Sequence, residues 1–163
     1  MRNYFTASLL AALAVIVEVS VLPLHADPHF KPDLLLLAMV FLALRGTRAA
    51  DALPAWLLGC VKDVFSGLYL GLNAFSFLII FIIIKSISDI LYAESAELFI
   101  VTATAASLGC VTINLLLLVM LTSSPGIAYS VAVGLLPHLL SNAFAASLLT
   151  LFPLFAYPRQ ERA

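Results

Sequence analysis

The residues that could do chemistry in this chain are a few polar side chains set inside long apolar segments. Lys62 and Asp63 lie within the run GCVKDVFSGLYLGLNAFSF, which spans residues 59–77. A charged side chain in hydrocarbon costs about 2.5–3.5 kcal/mol on insertion scales, so such residues usually face a protein interior or a polar cavity. We therefore expect residues 59–77 to form an interior contact between helices.

Lys62 and Asp63 are adjacent, so on a helix their side chains point about 100° apart. Each is therefore expected to have a partner of its own. Asp63 shares a helix face with small residues that would let another helix approach closely, namely Gly59, Ser66 and Gly67. One interpretation is a structural polar clamp between helices, and the other is a proton or ion relay. The sequence favours the clamp, because a relay usually shows several carboxylates or histidines in series.

Four further polar residues lie in apolar segments. Glu18 could neutralise Lys62 if their helices touch, or could reach water near the membrane interface. His138 and Asn142 are four residues apart and so share a helix face. For this pair, and for Asn114, a hydrogen-bonded patch between helices is a more common use than a ligand site.

Several classes of function are not indicated. No residues have the spacing of a metal site, a catalytic triad, a phosphate-binding loop or an intramembrane protease, so we expect neither an enzyme nor a cofactor. Cys60 and Cys110 lie in apolar runs without a CxxC pattern and are expected to be small buried residues. The formal net charge of -1 gives no bulk basicity, so a nucleic-acid partner is excluded.

The elements that must position these side chains follow from composition. The chain has 163 residues, of which 63% are hydrophobic and 10% charged, a composition typical of an integral membrane protein. Each membrane crossing needs about 20 apolar residues. The apolar runs therefore predict one integral membrane domain over residues 1–163. Its fold class is all-α, a compact polytopic bundle of about six transmembrane helices at about 4–24, 33–45, 52–70, 73–91, 98–121 and 127–155.

The connections between these segments carry further predictions. The first apolar run is expected to be a retained helix, with a cleaved signal peptide as the alternative. Residues 25–33 (HADPHFKPD) form a polar, proline-punctuated connection that is expected to lie in water, and Asp33 is expected to cap the following helix. Gly67 and Gly71 bracket a compact corner, and Pro137 is expected to kink the last helix.

Orientation follows from the positive residues near the ends of the segments. With six crossings, Lys31 falls on one side and six residues fall on the other, namely Arg2, Arg45, Arg48, Lys85, Arg159 and Arg162. This distribution predicts that both termini are cytoplasmic.

The corner also carries a family resemblance. The residues Gly59-x-x-x-Asp63-x-x-Ser66-Gly67-x-x-x-Gly71-Leu72-Asn73-Ala74 resemble the D-x-x-S-G-x-P-L-G-x-x-A/G region of the MreD family of rod shape-determining membrane proteins. The length, the Pro-Asp opening of the second segment and the lack of a soluble domain are similar as well. The sequence departs from the pattern at Tyr69, where many members have proline.

The resemblance implies a non-enzymatic scaffold subunit of the bacterial elongation machinery in the inner membrane. Such a subunit would bind MreC and couple MreB filaments to peptidoglycan synthesis by RodA and its class B penicillin-binding protein, with lipid as the other contact. The family also resembles, in fold, the six-helix substrate-binding subunits of energy-coupling-factor vitamin transporters. The alternative function is therefore a subunit that captures a small, vitamin-type molecule for a membrane transporter.

Overall fold

The structure, a computed structural model, describes residues 16, 18, 30–45, 52–66, 69–88, 96–121 and 127–151. Within these residues the chain forms five helices and no strand: α1 (Leu34–Arg45), α2 (Ala52–Ser66), α3 (Leu72–Ser88), α4 (Ala96–Leu121) and α5 (Ile127–Thr150). The expected all-α fold is confirmed for this part of the chain. Most of the predicted first segment, together with Gly67, lies outside the described residues, so a count of six spans stays a prediction.

The short helix α1 lies at the centre of the bundle. Its sequence, LLLLAMVFLALR, has no polar face, which is typical of a helix buried on all sides. Six of its side chains are at most 1% exposed, namely Leu35, Leu36, Leu37, Met39, Val40 and Ala43. They pack against α2, α3, α4 and α5. A helix of 12 residues is about 18 Å long, well short of the roughly 30 Å of a bilayer core.

Helices α2 and α3 form a close pair joined by the corner at Gly71. A Cβ placed on Gly59 would lie 2.8 Å from the backbone nitrogen of Ala74 and closer still to its Cα, so glycine is needed for the two backbones to approach this closely. Gly71 has a φ of +96°, in the left-handed region that side chains rarely adopt. Residues 69 and 70 are not helical, so α2 ends before the predicted segment 52–70 does, while residues 89–91 of the predicted segment 73–91 lie outside the described residues.

Helices α4 and α5 supply the longest apolar segments. Within the described residues, two stretches are long and apolar enough to cross a membrane, Ala96–Leu121 and Val133–Thr150, while Leu34–Leu44 and Leu72–Ile87 are apolar but shorter. One stripe of α5 exposes large apolar side chains, namely Val133, Leu136, Leu140 and Phe144. Such a stripe suits contact with lipid rather than water. Pro137 lies inside the continuous α5, and its predicted kink stays a prediction.

Candidate functional site: two polar centres inside the helix bundle

The first polar centre is the carboxylate of Asp63, which lies near the C-terminal end of α2 and is 2% exposed. Oδ2 accepts hydrogen bonds from the backbone N–H groups of Gly71 (2.9 Å) and Ala74 (3.0 Å). Oδ1 accepts from the backbone N–H of Asn73 at 2.8 Å and from its side-chain Nδ2 at 2.9 Å. The carboxylate therefore caps α3 from another helix.

Two properties of the N-terminus of α3 explain why Asp63 has this role. The residue before α3 is Gly71, which has no side chain to cap the helix, so the free N–H groups of the first turn need an acceptor from elsewhere. A negative charge at a helix N-terminus is also favoured by the helix dipole. Four hydrogen bonds then offset the cost of removing the carboxylate from water.

The Asp63 centre extends to α4 through a directional chain of side-chain hydrogen bonds. A carboxylate oxygen accepts, so Asn73 Nδ2 donates to Asp63 and Asn73 Oδ1 is free to accept. Asn114 Nδ2 donates to that Oδ1 at 3.0 Å. Asn114 Oδ1 in turn accepts from the hydroxyl of Ser76. The chain connects α2, α3 and α4, and it includes Asn114, for which the sequence predicted a contact between helices.

The second polar centre is Asp33, at the N-terminus of α1, which is 4% exposed. Oδ1 accepts from the backbone N–H of Leu36 at 3.0 Å, so Asp33 caps α1 as its sequence position predicted. Oδ2 forms an ion pair with Lys62 Nζ. The Glu18 carboxyl group accepts from the backbone N–H of Leu35 at 3.0 Å, which places a second acidic side chain at the same helix end.

Helix α5 contacts the Asp33 centre through Asn142, which is fully buried. Asn142 Oδ1 accepts from the backbone N–H of Asp33 at 2.6 Å, and Nδ2 donates to Ser107 Oγ of α4 at 2.7 Å. Asn142 Nδ2 also lies 3.2 Å from His138 Nε2. His138 Nδ1 lies 3.2 Å from the carbonyl oxygen of Lys31. His138 and Asn142 therefore share a face, as their spacing predicted.

The Asp33 centre lies inside the bundle rather than at its end. Ser107 is near the middle of α4 and Asn142 is in the second half of α5. Asn142 hydrogen-bonds both Ser107 and the backbone N–H of Asp33 at the start of α1. Asp33 is 4% exposed, so the expectation that residues 25–33 lie in water is wrong for this residue. Its buried backbone N–H requires a partner from the protein, and Asn142 supplies one.

The predicted partners of the charged residues are partly corrected. Lys62 and Asp63 have separate partners, as expected, but Lys62 pairs with Asp33 and not with Glu18. The Glu18 carboxyl group instead accepts a hydrogen bond from the α1 backbone. Lys62 Nζ also lies 5.3 Å from the centroid of the Phe77 ring, within the range of a cation–π contact.

Sequence reasoning did not single out Ser76 and Ser107, which complete the two centres. A lone serine in an apolar helix is common and gives no signal by itself. Ser66, by contrast, belongs to the predicted corner but is exposed, and its hydroxyl only donates to the Asp63 carbonyl of its own helix at 3.1 Å. Cys60 and Cys110 are free thiols, and Cys110 is buried.

The described part of the chain holds little that resembles a ligand site. No three His, Cys, Asp or Glu side chains converge there to hold a metal ion. Every buried side-chain nitrogen or oxygen in those residues has a hydrogen-bond partner. Two cavities of about 220 and 270 Å³ flank α4. Both are smaller than the roughly 300–1,000 Å³ of typical small-molecule pockets.

This fold and its internal polar contacts define a helical membrane protein, in which the described polar side chains connect helices. The chain belongs to the MreD family: the model of the rod shape-determining protein MreD matches residues 1–160. The resemblance seen in the corner motif is thereby confirmed, and the family indicates a role in determining rod shape. No curated protein and no solved structure gives a significant match to the chain.

Proposed function

We propose that this protein is a non-enzymatic scaffold subunit of the bacterial rod-shape complex. It would lie in the inner membrane as a multi-pass protein with both termini in the cytoplasm, bind MreC and couple MreB filaments to peptidoglycan synthesis. The observation that carries the proposal is the family match over residues 1–160.

The polar contacts of the described helices support a scaffold role. Four polar side chains form hydrogen bonds to other helices or to the ends of other helices, namely Asp63, Lys62, Asn114 and Asn142. In this proposal their role is to hold the bundle in one arrangement, so that its outer surface presents a fixed contact to a membrane partner. A rigid surface loses less conformational entropy on association than a mobile one.

The test is depletion of the protein in its rod-shaped host, followed by complementation. The proposal expects rods to become round on depletion and to recover with the wild-type chain. Asp63→Ala, which removes the cap of α3, is expected not to restore rods. Ser66→Ala is the matched control, because its hydroxyl contacts only its own helix, and it is expected to restore them.

A pull-down in mild detergent tests the partner. The wild-type protein and Ser66→Ala are expected to recover the single-span protein MreC, and Asp63→Ala is expected to recover less of it at equal membrane levels. Depleted cells that stay rod-shaped but require a vitamin would overturn the scaffold and support the transporter subunit instead. If the wild-type protein does not recover MreC, MreC is rejected as its partner.

A further inference from the structure

The hydrogen bonds around Asn142 fix the orientation of its side-chain amide. A backbone N–H can only donate, so the Asn142 atom that lies 2.6 Å from Asp33 N is the acceptor Oδ1. The other atom is therefore Nδ2, which carries two hydrogens. One hydrogen points to Ser107 Oγ at 2.7 Å and the other to His138 Nε2 at 3.2 Å.

This orientation in turn fixes the protonation of His138. Because Nε2 faces an N–H donor, it carries no hydrogen and acts as an acceptor. The other ring nitrogen, Nδ1, faces the carbonyl oxygen of Lys31 at 3.2 Å, and a carbonyl can only accept, so Nδ1 carries the hydrogen. The hydrogen-bond pattern thus requires the neutral imidazole in its Nδ1–H tautomer.

A second proton on His138 cannot be accommodated without losing one of these bonds. If Asn142 keeps its orientation, the new Nε2–H faces the Nδ2 hydrogens. If the amide rotates to present Oδ1 to His138, its Nδ2 then faces the Asp33 N–H, which loses its acceptor. Ser107 suits either orientation because a hydroxyl both donates and accepts. We propose that His138 Nε2 is a proton-binding site whose occupation releases the N-terminus of α1 from α5.

The charges around His138 do not offset this loss. The charged groups that act on His138 from the other elements are Asp33 of the segment before α1 and Lys62 of α2. These two form an ion pair, so their opposite effects on an imidazolium largely cancel. Glu18 accepts a hydrogen bond from Leu35 N at the same end of α1. The groups that α4 brings to this centre are the hydroxyl of Ser107 and the thiol of Cys110.

His138 lines the 270 Å³ cavity between α4 and α5, together with Asn114 and Gly134, so its ring borders open space within the described bundle. Imidazole is the side chain whose ordinary titration falls within about pH 5–8, so the proton would be taken up from water and returned to it in that range. The inference is independent of the proposed function, because it concerns the bundle alone.

The experiment uses the full-length protein in lipid nanodiscs with 15N-labelled histidine. The chain has three histidines, so the background His25→Gln/His29→Gln leaves His138 as the sole signal. At about pH 8 the ring shifts are expected to show the neutral Nδ1–H tautomer, and at about pH 5 the imidazolium. The second measurement is the hydrogen-exchange rate of the Asp33 amide divided by that of the Val40 amide in the middle of α1. This ratio is expected to rise about tenfold between about pH 8 and about pH 5.

His138→Gln in the same background is the control, because an amide can replace both hydrogen bonds but does not titrate. In this variant, the ratio of the Asp33 to the Val40 amide exchange rate is expected to be independent of pH. The proposal is overturned by any of three results: the Nε2–H tautomer at about pH 8, a His138 that stays neutral at about pH 5, or protonation without a change in the Asp33 ratio. The first two need no variant of His138, so the proposal stays testable if His138→Gln does not fold.

Discussion

At the scale of single residues, the most demanding position is Asp63, because one carboxylate accepts four hydrogen bonds at the start of α3. Removing it leaves buried N–H groups without acceptors, each of which costs about 1–3 kcal/mol. We predict that Asp63→Ala lowers the free energy of unfolding by about 3–5 kcal/mol, as measured by denaturant titration in detergent micelles.

The control for this change is Ser66→Ala, one turn further along α2. Its hydroxyl bonds only the carbonyl of Asp63 and the side chain is exposed, so its effect is expected to stay within about 0.5 kcal/mol. Equal effects of the two substitutions would show that the Asp63 cap does not stabilise the fold.

The ion pair between Lys62 and Asp33 gives a second prediction. Lys62→Met leaves a buried carboxylate without its cation, while Asp33→Asn keeps an N-cap but leaves the ammonium unpaired. We expect each single variant to be destabilised, and the double variant to be more stable than the sum of the two effects by about 1–3 kcal/mol. Additive effects in the same unfolding assay would reject a direct interaction.

The polar residues themselves were predictable from the sequence, but their pairing was not. A charge within an apolar run indicates an internal partner, which is why Lys62 and Asp63 could be singled out. The choice of partner depends on which helices touch, and Glu18 and Asp33 were both available to Lys62. The structure decides for Asp33, because the central position of α1 brings its N-terminus against α2.

At the scale of elements, the pairing of α2 and α3 depends on the absence of a side chain at Gly59. An added Cβ would lie 2.8 Å from both the backbone nitrogen of Ala74 and the carbonyl oxygen of Asn73, and backbone atoms cannot move aside as a side chain can. We predict that Gly59→Ala separates the two helices and destabilises the protein by about 3 kcal/mol, at the upper end of the usual cost of overpacking.

Gly109 offers a matched comparison in α4. A Cβ there would lie 2.6 Å from Ile80 Cδ1, the movable end of a flexible side chain. Gly109→Ala is therefore expected to cost less than half as much as Gly59→Ala in the same thermal or chemical unfolding assay. A larger loss for Gly109→Ala would mean that α3 and α4 are the more tightly constrained pair.

The helix pattern was largely predictable because runs of apolar residues are separated by prolines, glycines and charges. The central position of α1 was missed, although its sequence held a signal. A helix without any polar face is expected at the centre of a bundle, and LLLLAMVFLALR has none. Its short length suggested a marginal crossing, whereas it is the core around which the four other described helices pack.

At the scale of the whole molecule, this arrangement predicts an order of local stability. Because α1 is enclosed by α2, α3, α4 and α5, its backbone N–H groups should open to solvent only when the bundle as a whole unfolds. Hydrogen exchange in nanodiscs is expected to be slowest at Leu37, Met39 and Val40. Faster exchange there than at Phe144, on the exposed face of α5, would place the stable centre elsewhere.

The capping of α1 by α5 also bears on how the chain is made. The acceptor for the Asp33 N–H is Asn142, which lies 109 residues later in the sequence. While the chain leaves the ribosome, α1 is synthesised long before that acceptor exists, and a 12-residue helix is too short to cross the bilayer by itself. We therefore expect the hydrogen bond that holds the start of α1 to α5 to form late in biogenesis, only after most of the chain has been synthesised.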